Sequence, residues 1–113
     1  MNVRTEQSGK VSIVRVAENR LMYPILGDFA ATITDLVAAG KREILIDLAP
    51  VSYVDSATIG CMMDLYRQVT TAGGHLKLSG VQKRVETMLT LTGAQNFIEI
   101  HPDESSAVKS FGA

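Results

Sequence analysis

Hydrophobic and polar positions alternate near the start of the chain in a way that is typical of β-strands. In the segment 10–16, Val11 and Ile13 occupy alternate positions, and we interpret this segment as a strand. The segment 20–23 predicts a second short strand, which Pro24 should end because proline cannot donate a hydrogen bond to a sheet. A short polar turn separates the two segments, so the pattern predicts an opening antiparallel hairpin.

Apolar residues return every three or four positions in several later segments, as they do on one face of an α-helix. Phe29, Ile33 and Val37 follow this spacing after residue 28, and Gly40 stands where a glycine can end a helix. The unbroken aliphatic run 43–48 is instead typical of a strand that is covered on both faces. The same criteria predict helices at 57–72 and 82–91, strands at 75–79 and 97–100, and a short helix that opens near Asp103.

Strands and helices alternate through the second half of the chain, and this order produces parallel pairing through right-handed crossovers. Together with the hairpin it predicts an α/β fold, with a mixed, mostly parallel sheet of about five strands and about four helices. A length of 113 residues suits one domain, because a second domain would have too small a core. We therefore expect a single domain over 1–113.

Charge and cysteine content exclude several classes of function. Eleven Lys and Arg against twelve Asp and Glu give a net charge of −1, which disfavours nucleic acid as a partner. The single cysteine, Cys61, cannot form an internal disulfide, and no signal-like segment opens the chain, so we expect a cytoplasmic protein. No apolar run approaches the roughly 20 residues that span a bilayer, so we do not expect membrane insertion.

The most distinctive segment is the turn after the central strand, where Asp55 and Ser56 precede an apolar helix. Asp55 is suited to cap that helix by accepting hydrogen bonds from amides near Thr58. Ser56 should then lie in the first turn with its hydroxyl pointing outward. An Asp-Ser pair at this place is commonly no more than a cap. A phosphate on Ser56 is nonetheless compatible with the positive end of a helix, and it would give the fold a switch for partner binding.

Other kinds of chemistry have weaker support. A nucleophilic serine needs a neighbouring base, but His75 and His101 lie elsewhere in the predicted topology, and the G-x-S-x-G turn is absent. The pair Gly73-Gly74 follows a helix rather than a strand, so we interpret it as a helix stop and not as a phosphate loop. One cysteine and two separated histidines do not predict a metal site. We therefore expect neither enzymatic activity nor a cofactor.

The exposed side of the second long helix continues away from Ser56. Gly60 and Asp64 follow at intervals of four residues, one and two turns along the same side. The ordinary interpretation of such positions is a solvated polar face. If Ser56 is a switch, Gly60 and Asp64 belong to a docking surface.

Three segments together resemble the STAS domain, and specifically the anti-sigma-factor antagonists of that family. They are VSYVDSATIG at 51–60, GGHLKL at 73–78 and LTGAQNFIEI at 91–100. Their order and spacing are similar to the family pattern over roughly the C-terminal two thirds of the chain, from 44 to 107. The resemblance implies the STAS fold.

The resemblance also implies a regulatory protein that takes part in partner switching. In the family, the unmodified protein binds an anti-sigma factor with serine kinase activity and thereby frees a sigma factor. The kinase phosphorylates the serine after the aspartate, here Ser56, and a protein phosphatase of the metal-dependent type restores it. With the helix face described above, the predicted partner-binding residues are Asp55, Ser56, Ala57, Thr58, Gly60 and Asp64.

The chain departs from the family pattern in two places. Thr58 stands where the family has glycine, and AENRLM at 17–22 replaces the Gly-Glu-Leu/Ile-Asp element after the first strand. These differences keep a second function open, that of a non-switching STAS scaffold subunit in a stress-signalling complex or a lipid-transport ATPase. A small-ligand sensor or enzyme rests only on analogy with other α/β folds.

Overall fold

The computed structural model describes residues 2–112, which form four α-helices, one 3-10 turn and seven β-strands. The helices are α1 (Ile25–Ala38), α2 (Ser56–Thr71), α3 (Lys83–Thr92) and α4 (Glu104–Ser110), and the 3-10 turn is Ala94–Asn96. The strands are β1 (Val3–Ser8), β2 (Val11–Val16), β3 (Arg20–Leu21), β4 (Glu43–Asp47), β5 (Tyr53–Val54), β6 (His75–Ser79) and β7 (Glu99–His101).

The main sheet has five strands in the order β1-β2-β4-β6-β7. Strands β1 and β2 are antiparallel, and the other neighbours pair in parallel. The predicted α/β class, with a mixed and mostly parallel sheet, is confirmed. A helix joins each parallel pair, as parallel pairing requires. The turn that leads into α2 consequently lies beyond the carboxyl end of β4.

An antiparallel hairpin opens the sheet, as predicted, but only one of its two strands is a predicted one. It joins β1 to β2, with Gly9 at a φ of +58° in the turn. The predicted second strand at 20–23 is limited to Arg20–Leu21, which pairs in parallel with β5 and not with β2. The predicted hairpin partner was therefore wrong. Only the first residue of β1 is buried, so this edge strand lacks the alternation that would have marked it.

Helices α1, α2 and α3 cover one face of the sheet, and α4 covers the other. Phe29 of α1, Met62 of α2 and Leu89 of α3 are buried in the larger core with Ile44 and Ile46 of β4. The smaller core beneath α4 consists of Val11, Ile13, Leu45, Ala107 and Phe111. Strand β4 is thus covered on both sides, which explains its unbroken aliphatic sequence.

Most other predicted elements are confirmed, with shifts at their ends. Helix α1 begins at Ile25, ahead of its predicted start, and Gly40 follows it with a φ of +90°. Gly93 ends α3 with a φ of +78°, a left-handed conformation that suits glycine. The last strand starts at Glu99 rather than at Phe97, because the 3-10 turn comes first and leaves Phe97 60% exposed.

Candidate functional site

Helix α2 begins with a side-chain cap. The N-cap residue Asp55 has an extended backbone, with φ −102° and ψ 177°. Its Oδ1 accepts hydrogen bonds from the Thr58 amide at 2.8 Å and from the Thr58 hydroxyl at 2.8 Å. The cap satisfies one of the amides that a helix start leaves without an intrahelical partner. The predicted capping role of Asp55 is confirmed.

The cap keeps the Asp55 carboxylate ionised. The Thr58 hydroxyl, and after it the Thr58 amide, lowers the pKa of Asp55 below its ordinary value, because both donate hydrogen bonds to the charged form. The negative charge lies at the positive end of the helix, where it is favoured. The turn therefore carries one negative charge at neutral pH before any modification of Ser56.

Thr58 connects the start of α2 to strand β3. Its side chain is 0% exposed, and its Oγ1 donates a hydrogen bond to the Leu21 carbonyl at 2.7 Å. A threonine hydroxyl has one proton, so this proton is shared between the Leu21 carbonyl and the Asp55 carboxylate. The sequence predicts Thr58 as a partner contact, but the structure turns its side chain inward. Thr58 supports the surface from beneath and does not form part of it.

Four of the predicted partner-binding residues are exposed along α2, and we refer to them as the α2 surface: Ser56, Ala57, Gly60 and Asp64. Ser56 is the first residue of the helix, and Gly60 and Asp64 follow on the same side at intervals of four. Asp64 forms a salt bridge with Arg67, one turn away. Asp55 is half-buried at the edge of this surface. Ser56, Gly60 and Asp64 are thus exposed along one side of α2.

Gly60 is not required by the packing of the chain. A Cβ at this position would meet no atom within 4 Å beyond its own helix backbone and chain neighbours. At Gly74, by contrast, a Cβ would collide with the Arg42 carbonyl, so the fold itself requires glycine there. Glycine inside a helix destabilises it by about 0.5–1 kcal/mol relative to alanine. The chain carries this cost at Gly60 without an internal reason, and the helix backbone there is open to close approach from outside.

Neither histidine contacts the turn that leads into α2. His75 lies at the start of β6, at the opposite end of the sheet, with its Nδ1 3.1 Å from the Glu43 carboxylate. His101 places its Nε2 2.6 Å from the Glu99 carboxylate. Within residues 2–112, no three His, Cys, Asp or Glu side chains are placed to hold a metal ion. The same range contains no helix whose length and apolar character would let it span a membrane.

The sequence reasoning missed that β3 and β5 support this site. The two short strands pair in parallel, with Arg20 opposite Tyr53 and Leu21 opposite Val54. The Arg20 guanidinium lies 5.8 Å from the centre of the Tyr53 ring. Strands of two residues have no periodicity, and the only local signal was an apolar residue beside a polar one in each segment. Their pairing places the main chain of Leu21 directly behind the start of α2.

The chain matches the family model described as the STAS domain over residues 2–107. An anti-sigma-B factor antagonist from Bacillus subtilis is 30% identical over 73 residues, which is 65% of this chain and 67% of that protein. The TM1081 homologue of Thermotoga neapolitana is 29% identical over 70 residues, which is 62% of each chain. The match therefore spans less than two thirds of that relative's length.

Solved structures share the fold over nearly the whole chain. An anti-sigma factor antagonist from Mycobacterium paratuberculosis superposes with a TM-score of 0.87 at 18% identity, covering 98% of this chain and 93% of that chain. The Bacillus cell fate determinant SpoIIAA in its phosphorylated form superposes with a TM-score of 0.74 at 15% identity, covering 96% and 97%. With the family match over most of its length and the sheet order described above, the chain belongs to the STAS family, in which its named relatives are anti-sigma factor antagonists.

Proposed function

We propose that this chain is an anti-sigma-factor antagonist that works by partner switching. In its unmodified form it binds an anti-sigma factor with serine kinase activity through the α2 surface. The kinase transfers a phosphate from ATP to the Ser56 hydroxyl, and the modified protein is released. A phosphatase of the metal-dependent type removes the phosphate and restores binding. The chain itself acts as a binding protein and not as an enzyme.

The observation that carries this proposal is the position of Ser56. It is exposed, it is the first residue of α2, and it directly follows the capping residue Asp55. The contacts that hold the turn together are made by Asp55, Thr58 and Leu21, and none of them uses the Ser56 hydroxyl. A kinase can therefore reach this hydroxyl, and its modification leaves the anchoring contacts in place.

The charge of a phosphate explains how binding is switched. Phosphoserine carries a charge of about −1.5 to −2 at neutral pH, and here it would stand beside the ionised Asp55 and on the same surface as Asp64. The helix start offsets part of this charge within the chain. A partner that has docked over Ala57 and Gly60 would meet the remaining charge in its interface, where desolvating it is unfavourable.

The proposal is tested by phosphorylation and binding assays with purified anti-sigma-factor kinases from the organism that encodes the chain. Incubation with the cognate kinase and ATP should add one phosphate at Ser56, located by mass spectrometry, and Ser56→Ala should abolish the addition. Ser105→Ala is the control, because Ser105 is also exposed and also lies in the first turn of a helix that an aspartate, Asp103, caps. It should be phosphorylated at Ser56 like the wild type.

Binding of the same kinase by Ser56→Asp provides the second measurement. We expect its Kd to rise by about ten-fold or more relative to Ser56→Ala, since the carboxylate introduces charge into the interface. No modification at Ser56, or equal binding by the two variants, would refute the switch. Those results would favour the alternative function, a STAS scaffold subunit of a stress-signalling complex or a lipid-transport ATPase that does not switch.

A further inference from the structure

A cavity of about 450 Å³ lies beside the start of α2. Its lining residues are Asn19, Arg20, Met22, Ser52, Tyr53 and Arg84. Strands β3 and β5 form one wall through the pairing of Arg20 with Tyr53, and Arg84 reaches the cavity from the first turn of α3. No Asp or Glu side chain lines it. The cavity is therefore a cationic site next to the proposed switch.

Hydrogen bonds connect the wall of the cavity to the start of α2. The carbonyl of Leu21, the residue after Arg20, accepts a hydrogen bond from the Thr58 hydroxyl at 2.7 Å. Tyr53 precedes Asp55 by two residues. The backbone amides of Ser52 and Tyr53 also donate to the Asn19 carbonyl, at 2.8 and 3.2 Å. The cavity wall is therefore continuous in sequence and in hydrogen bonding with the start of α2.

Four of the six arginines in the chain contact a carboxylate or a carbonyl of the chain itself. Arg4, Arg15 and Arg67 form salt bridges with carboxylates, and Arg42 donates to the carbonyls of Val37 and Lys41. The most engaged is Arg15, which is only 20% exposed and contacts three carboxylates, those of Glu6, Asp47 and Glu104.

The other two arginines, Arg20 and Arg84, have no carboxylate partner and donate no side-chain hydrogen bond within residues 2–112. Both are exposed, and both line the same cavity. The Arg20 guanidinium lies over the Tyr53 ring, 5.8 Å from its centre, which restricts its orientation. Arg20 and Arg84 are thus two exposed guanidinium groups at one cavity that have no carboxylate partner within the described residues.

We propose that Arg20 and Arg84 bind carboxylate side chains on an acidic segment of the partner kinase, next to Ser56. This inference rests on the proposed function and names the chemistry of the partner's surface. Guanidinium groups suit carboxylates because they present several donors in one plane. A protein segment fits better than a nucleic acid, since the chain has a net charge of −1 and two free arginines make a small basic patch.

The inference also accounts for release. An acidic segment held by Arg20 and Arg84 would lie near the start of α2, since Tyr53 of the cavity wall precedes Asp55 by two residues. A phosphate on Ser56 then places negative charge next to the partner's carboxylates, and like charges repel. Phosphorylation would therefore weaken the interaction at both the α2 surface and the cavity.

The first test does not need the kinase. A capped hexaglutamate peptide is titrated into the 15N-labelled protein at constant ionic strength, and amide shifts are followed by NMR. We expect the largest shifts in β3, in β5 and at the start of α3, and a loss of affinity when sodium chloride is raised from about 50 to about 300 mM. The double variant Arg20→Glu/Arg84→Glu should weaken peptide binding by about ten-fold or more.

The matched control is Lys10→Glu/Lys41→Glu. It changes the net charge equally, but both lysines line a different cavity, at the opposite end of the sheet. Its effect should stay within about two-fold. Equal weakening by the control, shifts centred on Lys10 and Lys41, or equally tight binding of inorganic phosphate would each overturn the assignment to carboxylates. The salt titration of the wild type keeps the test decisive if the reversed variant is unstable.

The second test separates this inference from the proposed function. With a kinase that phosphorylates Ser56, the Arg20→Glu/Arg84→Glu variant should show a Kd higher by about ten-fold or more, while the lysine control matches the wild type. If the kinase modifies Ser56 but the arginine variant binds it normally, the carboxylate inference fails alone. If the peptide binds at the cavity but Ser56 is never modified, the switch fails and the acidic-ligand site stands.

Discussion

Replacing Gly60 with alanine should separate the stability of the domain from its ability to bind a partner. Position 60 lies inside α2, and a Cβ there meets no atom within 4 Å. Alanine is favoured over glycine in a helix interior by about 0.5–1 kcal/mol, so Gly60→Ala should raise the free energy of unfolding by about this amount. For a domain of this size, a gain of ~1 kcal/mol corresponds to a Tm higher by about 3–6 °C.

Partner binding should change in the opposite direction. The added methyl group would stand between the backbone of α2 and a protein docked on the α2 surface. We expect the Kd for the anti-sigma-factor kinase to rise by about ten-fold, which corresponds to ~1.4 kcal/mol of binding free energy. Urea denaturation and thermal melting measure the change in stability, and isothermal titration calorimetry with the kinase measures the change in affinity.

Thr71→Ala is the control for this experiment. Thr71 is exposed at the far end of the same helix, and alanine has the higher helix propensity, so the variant should be stabilised by up to about 0.7 kcal/mol with unchanged binding. A destabilised Gly60→Ala would show that a methyl group at position 60 collides with other atoms of the chain. A stabilised variant that binds the kinase like the wild type would show that the α2 surface is not where the partner docks.

Three further substitutions test the contacts around the turn and the sheet. Thr58→Val removes the hydroxyl that holds the Leu21 carbonyl and the Asp55 carboxylate, so the free energy of unfolding in urea should fall by about 1–3 kcal/mol. An unchanged value would contradict its anchoring role. Arg15→Met leaves three carboxylates without their shared cation and should cost about 1–3 kcal/mol, with a smaller loss in high salt. A loss that does not depend on salt would indicate packing instead. The folded-state pKa of Asp55 is lowered, so its contribution to stability is present above the unfolded pKa of about 3.9 and is lost as the pH falls through the folded value. Asn can still cap the helix but does not titrate, so the free energy of unfolding of Asp55→Asn should fall less steeply than that of the wild type as the pH decreases. An equally steep fall in both proteins would argue against this linkage.

Local signals in the sequence were sufficient to predict the start of α2. A capping aspartate, an apolar helix face and a preceding aliphatic strand each act within a few residues, and they place Asp55 and Ser56 correctly. The central strand β4 was equally clear, since a strand covered on both faces needs no alternation. These features depend on residues that are close together in the sequence, so they can be predicted without knowledge of the fold.

The features that were missed depend on residues far apart in the chain. The Thr58 hydroxyl reaches the Leu21 carbonyl across a separation of 37 residues, so no local pattern shows that Thr58 is turned inward. The pairing of β3 with β5 has the same character, and for that reason the segment 20–23 was assigned to the wrong partner. The edge strand β1 was missed because only its first residue, Val3, is buried, so its sequence lacks the alternation of a half-buried strand.

The pairing of charged side chains near the site could not be predicted from the sequence either. The net charge of −1 is a sum, and it does not tell which cations are paired. The structure pairs Arg15 with three carboxylates and leaves Arg20 and Arg84 at one cavity. Only the arrangement in space distinguishes an arginine that joins carboxylates of different elements, such as Arg15, from arginines that line an open cavity, such as Arg20 and Arg84.

The bond between Thr58 and Leu21 has a consequence for when the serine can be recognised. Contacts between distant segments form only after the intervening chain has been gathered, because closing a long loop costs entropy. Here the strands that support the start of α2 come from segments on either side of α1 and β4. An unfolded or partly synthesised chain, or a short peptide around residue 56, lacks that support. A kinase that reads this arrangement would act on finished copies of the protein and ignore incomplete ones.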